Sequence, residues 1–363
     1  MILALLITLL GICNAKIGCL DPAGKPVDWF MTYKLPRIHY SPHSHVSEGY
    51  GHAYLDVNKQ TWTLSEVSIN SSAQNAIGNT LNQVYKSNTT ESMYILYNDE
   101  TPEKNVSMSH GHTKGDISFD KSTGFWLVHS VPRFPPYFKD KVYSYPKSGT
   151  MYGQTFLCIT LPYKFLNIIG QQLLYNYPQI YDHNFPESFV KENPNIDNAI
   201  KKKHVEKAPW QNKATLTTLA GQKFESFAKF TEFEADLYDA WVAPTLQTDL
   251  LVESWQHGSK ESDMPSNCSS KYSVFNIKDL EVTDVEFKET KDHSKWAIST
   301  EPGNEWTCIG DINRMTEQKK RAGGTVCLNM KSVWQTFNNT VEMIQPCEKE
   351  FKHVQHSNAN DIL

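Results

Sequence analysis

The pattern His-x-Lys occurs once in each half of the chain, as GHTKG at 111–115 and as DHSKW at 292–296. In an extended strand, residues two apart point to the same face, so each copy projects an imidazole and an ammonium into one space. Two such strands facing each other gather two histidines and two lysines around one point, a good seat for an anionic phosphate. If the halves are related, the fold has to be a pseudo-two-fold duplication.

The flanking sequence supports strands on both sides. PVDWFMTYKLP (26–36), MYILYND (93–99), GFWLVHSVP (124–132) and QTFLCITLP (154–162) are short runs rich in β-branched and aromatic residues, closed by Asn-Asp or Pro. The second half has the same style in YSVFNIKDLEV (272–282), KWAIST (295–300) and WTCIGDIN (306–313), and ATLTTLAGQKFESFAKF (214–230) reads as a hairpin turning at Ala-Gly-Gln. KFLNIIGQQLLYNYP (164–178) has helical three-four spacing and stops at Pro178. The stretch 233–256 reads as a helix kinked or split at Pro244, and the polar run around 190–204 as a linker or surface excursion.

The first fifteen residues, MILALLITLLGICNA, form an apolar run ending in Ala15 and read as a secretory signal peptide. No later stretch is long and apolar enough to span a bilayer, so no membrane association is expected. Glycosylation acceptors at Asn70, Asn88, Asn105, Asn267 and Asn338 fit the secretory route. Removing Cys13 with the leader leaves six cysteines, Cys19, Cys158, Cys268, Cys308, Cys327 and Cys347, suited to three disulfides whose pairing the sequence leaves open. The remaining 348 residues (363 less 15) exceed a usual single core, which favours two lobes. We place the first at 16–190 and the second at 191–363.

The formal charge of −5 argues against constitutive nucleic-acid binding at neutral pH, but protonating all thirteen histidines would take it to +8. An acidic vesicle would therefore favour a polyanion. KKKH at 201–204 and Lys319, Lys320 and Arg321 are basic runs able to grip a nucleic-acid backbone, although such runs are more often solvated. His43, His45 and His52 lack a fourth ligand of good spacing, so no metal and no other cofactor is expected.

Phosphodiester cleavage needs a nucleophile, a proton donor for the leaving alkoxide, and positive charge at the non-bridging oxygens. A neutral imidazole supplies the first, a protonated imidazole the second, and two lysines the third. One copy of His-x-Lys is weak evidence; its context is stronger. VDWF with YKLP, LYND, GHTKG, FWLVHSVPRFPP, YGQTFLC, FAKF, PSNCS, DHSKW and WTCIGDINR with GGT run along almost the whole chain. In these segments the sequence resembles the deoxyribonuclease II family.

The resemblance implies an α/β fold like phospholipase D, with two similar mixed-sheet lobes and one active site at their pseudo-two-fold junction. It implies His112 and Lys114 from the first lobe and His293 and Lys295 from the second, with one histidine as nucleophile and the other as general acid; His112 is the preferred attacker. It adds His129 as a supporting residue, with a buried core histidine as the alternative, and disulfides Cys19 with Cys158, Cys268 with Cys347, and Cys308 with Cys327. The wider superfamily has an acidic residue five places after the lysine. Here Phe119 and Thr300 stand there, leaving Asp116 and Asp120 as candidates to orient a histidine.

The implied activity is metal-free acid hydrolysis of double-stranded DNA without sequence preference, leaving 3′-phosphate ends, in a lysosomal or secreted protein that is a monomer or a homodimer. A phosphodiesterase acting on phospholipid, and a non-catalytic polyanion binder of the same fold, are the alternatives.

Overall fold

The computed structural model describes residues 16–259 and 261–347; the expected signal peptide, with Cys13, lies outside them. Eight strands form the first sheet: β1 (Trp29–Lys34), β2 (His52–Asp56), β3 (Thr63–Leu64), β4 (Met93–Asn98), β5 (Lys114–Phe119), β6 (Thr123–His129), β7 (Gln154–Pro162) and β8 (Ile180–Asn184). Their order is β3-β2-β1-β7-β6-β5-β4-β8, antiparallel throughout.

Nine strands form the second: β9 (Gln211–Thr217), β10 (Lys223–Lys229), β11 (Leu250–Ser254), β12 (Val274–Val282), β13 (Val285–Lys288), β14 (Lys295–Ser299), β15 (Trp306–Gly310), β16 (Gly323–Asn329) and β17 (Val341–Ile344). The order is β13-β12-β11-β14-β15-β16-β10-β9, with β17 on β12 and a parallel pairing of β11 with β12.

The two sheets repeat one another. The series β1-β7-β6-β5-β4 in the first matches β10-β16-β15-β14-β11 in the second, and Lys114 opens β5 as Lys295 opens β14. Laying one lysine on the other carries the ladder registers with it. Asn98 falls on Ser254, Val128 on Ile309, Phe156 on Thr325, Gln154 on Gly323, and Lys34 on Lys229. A helix follows the equivalent strand in each lobe, Leu166–Asn176 after β7 and Lys331–Asn338 after β16.

The long apolar strands are explained by burial on both faces. In β7, Leu157, Ile159 and Leu161 point into a core shared by the two sheets, while Phe156 and Cys158 point into an outer layer under the helix Ala76–Tyr85. Trp29, Trp126 and Trp296 are fully buried in the shared core, where truncation of one to alanine costs about 3–5 kcal/mol. The lobes are thus joined through a common interior, with β6 and β7 against β14 and β15. The disulfides pair Cys19 with Cys158, Cys268 with Cys347 and Cys308 with Cys327, the three pairs implied by the family resemblance.

Two readings of the sequence need correction. The helix expected over 233–256 is confined to Tyr238–Leu246; Leu250–Ser254 is strand β11, whose Leu250 and Val252 face an outer core by period-two alternation. The polar run at 190–204 is not a free linker, because the helix Pro194–Ile200 buries Ile196 and Ala199 against the helix Leu166–Asn176. Among the described residues, no helix is long and apolar enough to cross a membrane.

Candidate active site

The first half-site is built where the chain enters β5. Gly111 donates its N–H to Tyr177 O at 2.8 Å, at the end of the helix Leu166–Asn176, and a Cβ there would lie 1.9 Å from Asn176 O. Only glycine permits that approach, which aims the next residue across the lobe boundary. His112 N–H donates to Ala322 O at 2.8 Å, and its Nδ1 lies 2.7 Å from Asp311 O. Thr113 Oγ1 donates to Asp311 Oδ2 at 2.8 Å. Lys114 is buried and ion-paired with Asp99, the residue after β4, and Asp99 Oδ2 also lies 3.6 Å from His112 Nε2.

The second half-site is built where the chain enters β14. His293 N–H donates to Gly153 O at 2.9 Å, and its Nδ1 lies 3.1 Å from Ser130 O and 3.2 Å from Gln154 Oε1. Lys295 Nζ donates to His293 O at 2.6 Å. Asp292 anchors the turn, accepting from Ser294 N–H at 3.0 Å, from Ser294 Oγ at 2.7 Å and from Tyr33 OH. A Cβ on Gly153 would lie 2.2 Å from Asp292 Oδ1, so this crossing also requires glycine.

The two half-sites obey one pattern. Ser130 and Asp311 are equivalent positions, one residue past β6 and β15, and Gly153 and Ala322 are equivalent positions just before β7 and β16. Each histidine is therefore held by two main-chain carbonyls of the opposite lobe. A carbonyl only accepts, so these contacts favour the neutral ring with its proton on Nδ1 and the Nε2 lone pair left for chemistry, against the Lys295 ammonium, which lies 3.2 Å from His293 Nδ1. One difference bears on the chemistry: where the first half has Asp99 the second has Trp255, which meets His293 edge-on at 5.2 Å and stacks on His257 at 3.9 Å.

The electrostatics show that the four groups share one space. Burial, then the Lys114 ammonium and Lys295, hold His112 well below the ordinary imidazole range, against the opposing pull of Asp99. Burial, then Lys295, Lys114 and His112, do the same to His293. Lys295 is pushed well below the ordinary amine range by burial and by Lys114. Burial works to raise the Asp99 carboxyl, but Lys114, His112 and Arg321 overcome it and keep Asp99 ionised. Asp311 is raised to about 7 by burial, which outweighs its contacts with Thr113 and the lysines.

The structure thus brings His112, Lys114, His293 and Lys295 together. His129 lies behind this group, fully buried against Phe134 and Phe156 with Nε2 3.7 Å from Asp116 Oδ2 and Nδ1 accepting Val131 N–H at 3.1 Å; burial and then Lys114 hold it well below the ordinary imidazole range, against the pull of Asp99. Asp116 faces His129 rather than either proposed reacting histidine, and both of its carboxyl oxygens lack a hydrogen-bond partner. Asp120 is not at the site: beyond the far end of β5 from Lys114, it accepts the N–H groups of Ser122 and Thr123 in the turn. The carboxylate expected to orient a histidine is replaced by main-chain carbonyls.

Asp99, Thr113, Ser130, Gln154 and Asp311 were not singled out by the sequence. Asp99 closes the run LYND and Asp311 lies within WTCIGDINR, and that is the only local signal they carry. Asn70, Asn88 and Asn105 are exposed; Asn267 and Asn338 are half-buried, and the Asn267 amide donates to Asp239 Oδ2 at 2.9 Å.

Residues 18–347 match the deoxyribonuclease II family model. The chain is 40% identical to deoxyribonuclease-2-alpha of Mus musculus, over 94% of this chain and 97% of that protein. It is 41% identical to plancitoxin-1 of Acanthaster planci, over 92% and 93%. With deoxyribonuclease-2 of Caenorhabditis elegans the identity is 40%, over 92% and 96%.

Proposed function

The chain belongs to the deoxyribonuclease II family, and from that premise we propose that it is an acid endodeoxyribonuclease that cuts DNA without a metal and leaves 3′-phosphate ends. The observation that supports this most is the pair of equivalent His-x-Lys units, each with Nδ1 tied to the opposite lobe and Nε2 left for chemistry. In the proposed first step His112 Nε2 attacks phosphorus, the P–N bond forms and the P–O5′ bond breaks. The proton on His293 Nε2 passes to the departing 5′-oxygen. In the second step water attacks phosphorus, its proton returns to His293, the P–N bond breaks, and the strand leaves with a 3′-phosphate.

Asp99 favours this division of labour. Kept ionised 3.6 Å from His112 Nε2, it offsets the positive charge of the phosphoimidazolium ring. His293 has Trp255 in the equivalent place and no carboxylate to offset Lys295, which makes its imidazolium a stronger acid toward the leaving alkoxide. Lys114 and Lys295 supply the charge at the phosphoryl oxygens that a metal supplies elsewhere. Because the imidazole that donates the proton is held below its ordinary range, its protonated form is populated only in acid.

None of these groups reads a base, so the proposed substrate is double-stranded DNA without sequence preference. We also propose removal of residues 1–15 on secretion, glycans on the acceptor asparagines, and delivery to lysosomes or the exterior. The test is plasmid nicking at about pH 5 in excess chelator, with end-group analysis. The proposal expects nicks ending in 3′-phosphate; loss of activity in chelator or 5′-phosphate products would overturn it. Cleavage of phosphatidylcholine but not plasmid would transfer the same chemistry to a lipid.

A further inference from the structure

Two buried lysines outside the four proposed reacting groups occupy equivalent places in the two lobes. Lys34 ends β1 opposite Gln154, and Lys229 ends β10 opposite Gly323, the same register in both sheets. Both side chains are fully buried. Lys34 Nζ donates to Thr150 O at 2.6 Å and to Tyr152 O at 2.7 Å. Lys229 Nζ donates to Gln318 O and Lys319 O, each at 3.0 Å, and to Arg321 O at 2.5 Å, which occupies all three of its hydrogens.

Each ammonium therefore ties together the strap of main chain that precedes β7 or β16. One residue further on, each strap presents the carbonyl that crosses to the other lobe: Gly153 O to His293 N–H and Ala322 O to His112 N–H. Burying an ammonium is costly, and burial pushes Lys229 down to about 7 and Lys34 well below the ordinary amine range, against the opposing pull of Asp236 and Asp292 respectively. Apolar packing would support the fold at lower cost, so the same expensive arrangement in both lobes points to a task that packing cannot perform.

We propose that Lys34 and Lys229 are positioning residues that act on the histidines through these straps, Lys34 on His293 and Lys229 on His112. The same amine that ends a strand in one lobe thus sets the imidazole that the other lobe contributes. The catalytic consequence rests on the reading that His112 and His293 react; the structural pairing does not.

The test uses the full-length secreted protein with 15N-labelled histidine, the His112 and His293 ring signals being identified by their loss in alanine variants. Lys229→Met should move the ring signals and titration of His112 more than those of His293; Lys34→Met should do the reverse. In both, kcat on plasmid DNA should fall by about 10–100-fold, with KM within about twofold of wild type. Should the methionine variants fail to fold, one glycine inserted between Arg321 and Ala322, or between Tyr152 and Gly153, leaves the ammonium satisfied but frees the carbonyl. These insertions should produce the same selective shifts. Folded variants with both histidines and kcat unchanged, or a larger response from the wrong histidine, would overturn the inference. A wild type with the predicted pairing but no DNA cleavage would support the inference and overturn the proposed nuclease activity.

Discussion

His112 and His293 are bound into the fold by the same two contacts, each taken from the opposite lobe. Nδ1 faces Asp311 O or Ser130 O at 2.7 and 3.1 Å, and the main-chain N–H donates to Ala322 O or Gly153 O at 2.8 and 2.9 Å. Neither lobe can therefore assemble its own half-site alone.

In the proposed mechanism the histidines act as one unit, so their losses should not add. His112→Ala and His293→Ala should each lower kcat on plasmid DNA by at least about 10³-fold, and the double variant should be little worse than either single one. A double variant showing the product of the two single effects would mean that the histidines act independently.

Asp99 raises the affinity of His112 for a proton. Asp99→Asn should let the His112 pKa fall further, moving the acid limb of the pH–rate profile to lower pH and lowering kcat by about tenfold. An acid limb displaced to higher pH would contradict the assignment of His112 as the group that must be neutral.

Two buried groups should make opposite contributions to stability against pH. Asp311 is raised to about 7, so in the folded protein it holds a proton that the unfolded chain releases, and its contribution improves as pH falls from about 7 toward about 4. His52 is lowered to about 4 by burial, so its contribution is lost as pH falls from about 6.5 toward about 4. Relative to wild type, the Tm of Asp311→Asn should compare better at about pH 8 than at about pH 5, and that of His52→Gln should compare better at about pH 5.

The disulfides close loops of different length. Cys19–Cys158 spans 139 residues and Cys308–Cys327 spans 19. Loop-closure entropy predicts that replacing the first pair with alanines costs about 1–2 kcal/mol more than replacing the second. Urea midpoints of the two double variants measure the difference.

The parts of the site that the sequence reveals are those with local spacing. His112 with Lys114, and His293 with Lys295, are two apart and share a strand face, so chemistry and geometry coincide in five letters. The partners of these groups are hidden because they act through main-chain carbonyls, which carry no residue identity: Asp311 and Ser130 lie 199 and 163 positions from the histidines they hold. Asp120 misleads for the opposite reason: six residues of strand from Lys114 amount to about 20 Å, so nearness in sequence is distance in space. Helix Leu166–Asn176 was legible because its apolar spacing agrees with its terminating proline. Strand β11 was not, since Leu250 and Val252 follow closely on a helical stretch and alternate for only five residues.

The most direct test of the composite site is to find the covalent bond it predicts. DNA labelled at the scissile phosphorus is mixed with excess enzyme at about pH 5 and quenched in alkali, in which phosphohistidine survives, and the labelled peptide is sequenced. The account predicts label on His112, as an adduct carrying the upstream strand, in wild type and none in His112→Ala. Label on His293, or rapid strand cleavage with no protein-bound phosphorus, would contradict it.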